Sequence, residues 1–405
     1  MTYKELLAKV PENLKDISQL RMVGMRRHGR LFMGFGLAET VGEHAQTLAP
    51  EKKTALVVVD KVLRKLNVHA PVVESLEKAG YALDFFDEIP PEPHLEDGRK
   101  LQEFIRAKDF GVVVGVGGGS TMDIAKAGAM LATNPLDIEK YYTGTPMENA
   151  ILPLILLPTN SGTGSEVSCT AVMASSERKI FLTDQVLFAD LALIDPLLTV
   201  SCPPSVTAAS GLDALSHGME GLQALSTPLT RLFGYKCAEY TFKYLPRAVA
   251  DPYDLEARYY MSFASVYGTF ACNMALYAHS MSYILTMDKH VPHGVGCGVA
   301  LPYTFMYNFD YLKDLLADLA NAVDPDKKGT KDELASYMLD RFFLLLKECK
   351  MPTSLKDLGV EEEKIAPYAD DLFNKYYRPR NPRKMTLEEA HKWVRLMWEG
   401  KVELF

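Results

Sequence analysis

The sequence lacks any apolar run of membrane-spanning length. Its longest runs, such as Ile151–Leu157, are the size of a buried strand. It also lacks a cationic surplus. Lys and Arg number 44 against 52 Asp and Glu, a net charge of -8, which argues against nucleic acid or an anionic membrane surface as partner. Paired cysteines are missing too. Cys169, Cys202, Cys237, Cys272, Cys297 and Cys349 are scattered without a CxxC, and in a reducing compartment they read as free, mostly packed thiols. The opening segment, MTYKELLAKVPENLKD, carries charge and no apolar signal core, so a cytoplasmic protein is expected. Internal repeats and low-complexity segments are absent.

What is present is the composition of a globular protein: 48% hydrophobic and 24% charged residues in a 405-residue chain, enough for two domains with a core each. The first half alternates short apolar runs with helical spacing. Candidate strands are Leu31–Phe35, Ala55–Asp60, Ala82–Phe86, Gly111–Val116, Leu152–Leu157 and Leu187–Ile194, with helical patterns such as Lys61–Ala79 and Asp97–Ala107 between them. Such alternation predicts a parallel sheet covered by helices, an α/β domain. Past Pro196, Pro203 and Pro204 the patterns read as helix: Val206–Ala224, Leu255–Leu285, Lys331–Lys350. The expectation is an α/β domain over residues 1–201, whose loops below suggest dinucleotide binding, and an all-helical domain over 202–405, which holds the candidate metal set described below.

Two loops after apolar strands carry ligand chemistry. Gly117-Gly118-Gly119-Ser120 precedes an apparent helix, Ile124–Leu131. Glycines there let the backbone approach a diphosphate, and the helix start supplies free N–H groups and a positive dipole end. The plain alternative is a strand–helix turn. The second loop, Pro158 to Glu166, is rich in small and hydroxyl residues, either a polar clamp or a solvated linker. Asp60 ends a strand in VVVDK. It is placed to accept from a ribose hydroxyl and repel a 2′-phosphate, or equally to cap the next helix.

The second half holds a candidate metal set. Asp213 and His217 stand i, i+4, on one face of a helix. His279 lies in a long apolar helical pattern and His293 in a turn fourteen residues later. One carboxylate and three imidazoles suit a first-row divalent ion, Fe(II) or Zn(II). Singly, each has an ordinary reading: a surface pair, a hydrogen-bonded core histidine, a turn residue. His28, His44, His69, His94 and His391 fall in polar, exposed-looking settings, and His290 stands three residues before His293.

From about Leu31 to Val394 these residues together resemble the iron-containing (group III) alcohol dehydrogenase family. The family's GGGSxxD matches Gly117–Asp123, its PTxxGTGSE matches Pro158–Glu166, and its ligand set matches Asp213, His217, His279 and His293 in order. Met33-Gly34-Phe35-Gly36 is similar to its FGxG turn and Asn381-Pro382-Arg383 to a tail motif. The resemblance implies an NAD(H)-linked oxidoreductase that interconverts a small primary alcohol and its aldehyde. It implies that Asp60 marks NAD preference, that Gly118, Gly119 and Ser120 hold the pyrophosphate, and that Thr159, Asn160, Thr163 and Lys179 contact the cofactor. It sets Asp123 near the nicotinamide and implies a homodimer. Two positions depart from the family. Tyr283 stands where many members have a further histidine, assigned to proton relay or substrate contact, and Glu92 where many have asparagine. Two other readings remain: a dehydroquinate synthase-like lyase on the same scaffold, and a binding protein without turnover.

Overall fold

The apolar runs of the first half become strands of one sheet. A computed structural model describes all residues except 15–17, 22–28, 176–177, 225–226 and 273, so His28 lies outside the described residues. Seven strands follow the order β1 (Ser18–Arg21), β2 (Arg30–Met33), β9 (Leu191–Ile194), β6 (Leu154–Pro158), β5 (Val112–Gly117), β3 (Thr54–Val58), β4 (Ala82–Phe86). β1 runs antiparallel to β2, and the other pairings are parallel. β5 and β6 are buried at every residue, as strands packed on both faces must be. One sheet face packs on Met122, Leu101 and Ile105, the other on Leu76, Val72 and Leu37. All six expected parallel strands are there.

The differences have local causes. β9 starts at Leu191 rather than Leu187, because Gln185–Leu187 forms a short 3-10 turn capped by Asp184. Asn67, at φ 57, breaks the expected Lys61–Ala79 helix into Lys61–Lys65 and Ala70–Lys78. A two-stranded antiparallel ribbon, β7 (Thr170–Ala174) with β8 (Lys179–Thr183), was not foreseen.

The chain forms two compact units, 1–160 with 164–202, and 161–163 with 203–405. Ser161–Thr163 therefore belong to the helical unit, which no composition shift marked. That unit is built on helices Pro204–Ala224, Pro228–Ala250, Leu255–Ala271, Tyr277–Lys289, His293–Tyr307, Phe309–Val323 and Lys331–Glu348 around a core including Trp393, Tyr277 and Phe305. The single helical pattern expected over Leu255–Leu285 is two helices. Cys272 turns extended, and the Glu220 carboxylate takes the free N–H groups of Leu276, Ala278 and His279 at the start of the next. Among the described residues no helix is long and apolar enough to cross a membrane.

Candidate active site

Three helices of the second unit deliver the expected ligands. Pro204–Ala224 carries Asp213 and His217, Tyr277–Lys289 carries His279, and His293 opens His293–Tyr307. Asp213 Oδ1 lies 3.6 Å from His293 Nε2, 3.9 Å from His279 Nε2 and 4.0 Å from His217 Nε2. Ligand atoms about 2.1 Å from one tetrahedral ion stand about 3.4 Å apart, so these spacings are near what a shared cation requires. Asp213 Oδ1 and His279 Nε2 are buried without a hydrogen-bond partner among the described residues. Leaving such atoms unsatisfied costs about 1–3 kcal/mol each, and one divalent cation would satisfy both. The donor set, one carboxylate oxygen and three imidazole nitrogens, fits a first-row divalent ion.

Two residues that sequence reasoning missed hold the imidazoles in place. Glu220, fully buried, accepts from His279 Nδ1 at 2.6 Å, which leaves the ring's lone pair on Nε2. Burial alone would raise the Glu220 pKa, but His279 and the N–H groups of Leu276 and Ala278 outweigh it and leave it lowered. For His279 burial works against charge, and Glu220 reverses this into a raised pKa. The Ser282 hydroxyl donates to His293 O at 2.7 Å, so its oxygen is free to accept from His293 Nδ1 at 2.7 Å, again aiming Nε2 inward. Glu220 was within reach of a sequence argument, since it follows His217 by three positions and Asp213 by seven, on one helix face.

Other side chains crowd the same centre. Tyr283 stacks on the His293 ring at 5.4 Å and 9° and meets His279 edge-on at 6.3 Å. Burial pushes its phenol well above the ordinary value, which favours the neutral, hydrogen-bonding form. Arg378 lies over the Tyr283 ring, and its Nε donates to Ser280 Oγ at 2.7 Å. Cys297, expected only to pack, has Sγ 3.6 Å from His293 Nε2. Asp213, His279, His293 and Cys297 offer ligand atoms all within 4.8 Å of one another. His290 is exposed at a left-handed helix end. His69, read as exposed, is buried against Phe85.

In the first unit, β5 ends at Gly117 and the Gly119–Leu131 helix starts behind Gly118. A Cβ on Gly118 would stand 2.8 Å from Asn160 Nδ2, so only glycine lets Asn160 lie over the helix start. Thr159 N donates to Gly117 O at 3.0 Å, joining the two loops. Ser120 Oγ accepts from Glu92 N, and the Glu92 carboxylate pairs with Lys179 Nζ at 3.0 Å. Asp60 Oδ1 accepts from Val62 N and Leu63 N, so the capping alternative is realised. Asp123 turns inward. Its oxygens accept from Ser165 Oγ at 2.6 Å and Val172 N at 3.0 Å, beside the fully buried Lys126. In this structure it organises the second loop. Thr163, in the other unit, accepts from Thr269 Oγ1 at 3.3 Å through its carbonyl.

Comparison with known proteins places this arrangement. Residues 29–196 match the iron-containing alcohol dehydrogenase family, and 207–396 match the C-terminal domain of Fe-containing alcohol dehydrogenases. The chain is 35% identical over 333 residues to long-chain-alcohol dehydrogenase 1 of Geobacillus thermodenitrificans, covering 79% of this chain and 82% of that one. The solved structure of a 1,3-propanediol oxidoreductase superposes with a TM-score of 0.84 at 30% identity, over 91% of this chain and 97% of that one. A sulfoacetaldehyde reductase from Bifidobacterium kashiwanohense in complex with NAD+ superposes with a TM-score of 0.80 at 28% identity, over 93% and 98%. This chain belongs to the iron-containing alcohol dehydrogenase family.

Proposed function

We propose that the protein is a divalent-metal-dependent, NAD(H)-linked alcohol dehydrogenase that acts on a small primary alcohol and its aldehyde. The observation that carries this reading is the single oxygen, Asp213 Oδ1, within 4.0 Å of three imidazole Nε2 atoms. Family membership makes the chain an oxidoreductase of the alcohol dehydrogenase type. Asp213, His217, His279 and His293 would hold Fe(II) or Zn(II). When bound there, a divalent ion supplies the Lewis acidity that polarises a substrate carbonyl or acidifies an alcohol.

The chain's own residues do the rest. Glu220 and Ser282 fix the tautomers and angles of His279 and His293, so little reorganisation is left for turnover. The Tyr283 ring covers His293 and keeps water from that face, while its phenol orients a substrate oxygen. In the first unit the N–H groups at the start of the Gly119–Leu131 helix receive the NAD diphosphate, with Gly117, Gly118, Gly119 and Ser120 giving close approach and Asn160 closing over it. Lys179 adds a cation there, and Thr159 completes the contacts that this unit offers the nucleotide. The second Asp60 oxygen is left for a ribose hydroxyl, which favours NAD over NADP.

A lyase handling a phosphorylated substrate calls for several cations around the ligands. Arg378 is one, over the Tyr283 ring, while Arg383, five positions on, is paired with Glu389. An aldehyde panel assayed for NADH oxidation, on protein reconstituted separately with Fe(II) and Zn(II), decides between the readings. Steady NADH consumption supports the dehydrogenase. No consumption with any aldehyde in either metal form would sink it. Gel filtration tests the accompanying expectation of a homodimer.

A further inference from the structure

We propose that Cys297 is a further donor to the cation site, recruited by soft divalent ions and left out by harder ones. The inference rests on the metal-site reading above and extends it to the identity of the ion. Cys297 follows His293 by one helical turn, so both project from the same face of His293–Tyr307. The start of that helix is pressed against its neighbours. A Cβ on Gly294 would stand 2.0 Å from Ala209 O, and one on Gly298 would stand 2.7 Å from Leu212 Cδ1. The thiol is therefore held where it is, with 0% exposure.

Other buried cysteines have scaffold surroundings. Cys237 donates to Ala214 O inside the helical core, and Cys349 packs in the same apolar cluster. Cys297 instead faces ligand atoms: Sγ is 3.6 Å from His293 Nε2 and within 4.8 Å of the donors of Asp213 and His279. Asp213 Oδ1 and His279 Nε2, both buried and unpartnered among the described residues, converge with it on the same point. A thiolate is a soft donor, preferred by Zn(II), Co(II) and Cd(II) over Mn(II). On binding, the thiol proton leaves to solvent, the sulfur lone pair goes to the ion, and nothing is oxidised or reduced. A thiolate donor beside Asp213 and the histidines would add to the protein ligands of the ion, so metal identity would set how many of them it carries.

The test is the electronic spectrum of the full-length protein loaded with Co(II). Wild type is expected to show a near-ultraviolet thiolate-to-cobalt charge-transfer band together with visible ligand-field bands. Cys297→Ser and Cys297→Ala should lose the first and keep the second, while Cys272→Ser keeps both. Chelator competition should show Cd(II) held about tenfold more weakly by Cys297→Ser, with Mn(II) unchanged. Cobalt bound to wild type without the thiolate band, or a band that survives in Cys297→Ala, would overturn the role of Cys297 and leave the metal site standing. Failure of wild type to take up one equivalent of cobalt would sink both.

Discussion

Each unit buries a group of charged and polar side chains, and the two groups are finished differently. In the first unit Lys126 gives its protons to Ser165 Oγ, Ser168 Oγ and Thr170 O, and Asp123 beside it accepts from Ser165 and Val172. That network is closed on itself. In the second unit Glu220 and Ser282 finish the outer edge of the histidine cluster, but Asp213 Oδ1 and His279 Nε2 at its centre are left without a protein partner among the described residues. Buried polar atoms are normally paired. A satisfied cluster is scaffold, and this one, with Asp213 Oδ1 and His279 Nε2 open at its centre and His217 Nδ1 also unpartnered among the described residues, is built to take a ligand.

The sharpest way to break this comparison is to open the closed network. Lys126→Met leaves Asp123 buried beside an apolar group, and losing one partner of a buried pair costs about 3–5 kcal/mol. Urea unfolding should show that loss, and the double variant with Asp123→Asn should recover most of it. Equal stability of the single variant and wild type would mean the network contributes nothing. A slightly smaller effect concerns pH. Burial pushes Glu166 up from 4.5 to about 7 and Asp195 from 3.8 to about 6. The folded protein then keeps protons that the unfolded chain releases near pH 4 to 4.5. Stability is full below that range and falls as pH rises to about 7, by about 3 kcal/mol for Glu166. Glu166→Gln should flatten that slope between pH 5 and 8, and an unchanged slope would refute the assignment.

In the open cluster, Glu220→Gln keeps a hydrogen-bond acceptor and removes the charge. Metal affinity measured by chelator competition should fall about 10–100-fold with the helical content intact. The smallest effect is at Asp60. Its replacement by Ala removes a helix cap worth about 1 kcal/mol, and the proposed ribose contact predicts that it also changes the ratio of activities with NADH and NADPH. A change in stability without a change in that preference would assign Asp60 to capping alone.

How much of this was legible in the sequence depended on what marked each element. Strands β5 and β6 stood out because burial on both faces demands near-continuous Val, Ile and Leu. Ser18–Arg21 did not, being four mostly polar residues at a sheet edge, and the β7–β8 ribbon is too short and too mixed to separate from its loop. Asp213 and His217 announced themselves by i, i+4 spacing. Cys297 has the same spacing from His293 and was hidden because Gly294, Gly296 and Gly298 make that stretch read as a turn rather than a helix. Those glycines are there for close helix packing, a tertiary cause that no local pattern reports. Asp123 shows the converse limit: a motif gives a residue its place in the chain, while its hydrogen bonds decide which way it faces.

Everything in the proposed chemistry turns on one divalent ion being held by Asp213, His217, His279 and His293. Its most direct test is metal stoichiometry by native mass spectrometry on protein reconstituted with Fe(II) or Zn(II), with His279→Ala alongside. One ion per wild-type chain, none in the variant, and a loss of kcat/KM on the order of a thousandfold are expected. A His279→Ala protein that retains one equivalent of metal and normal turnover would contradict it.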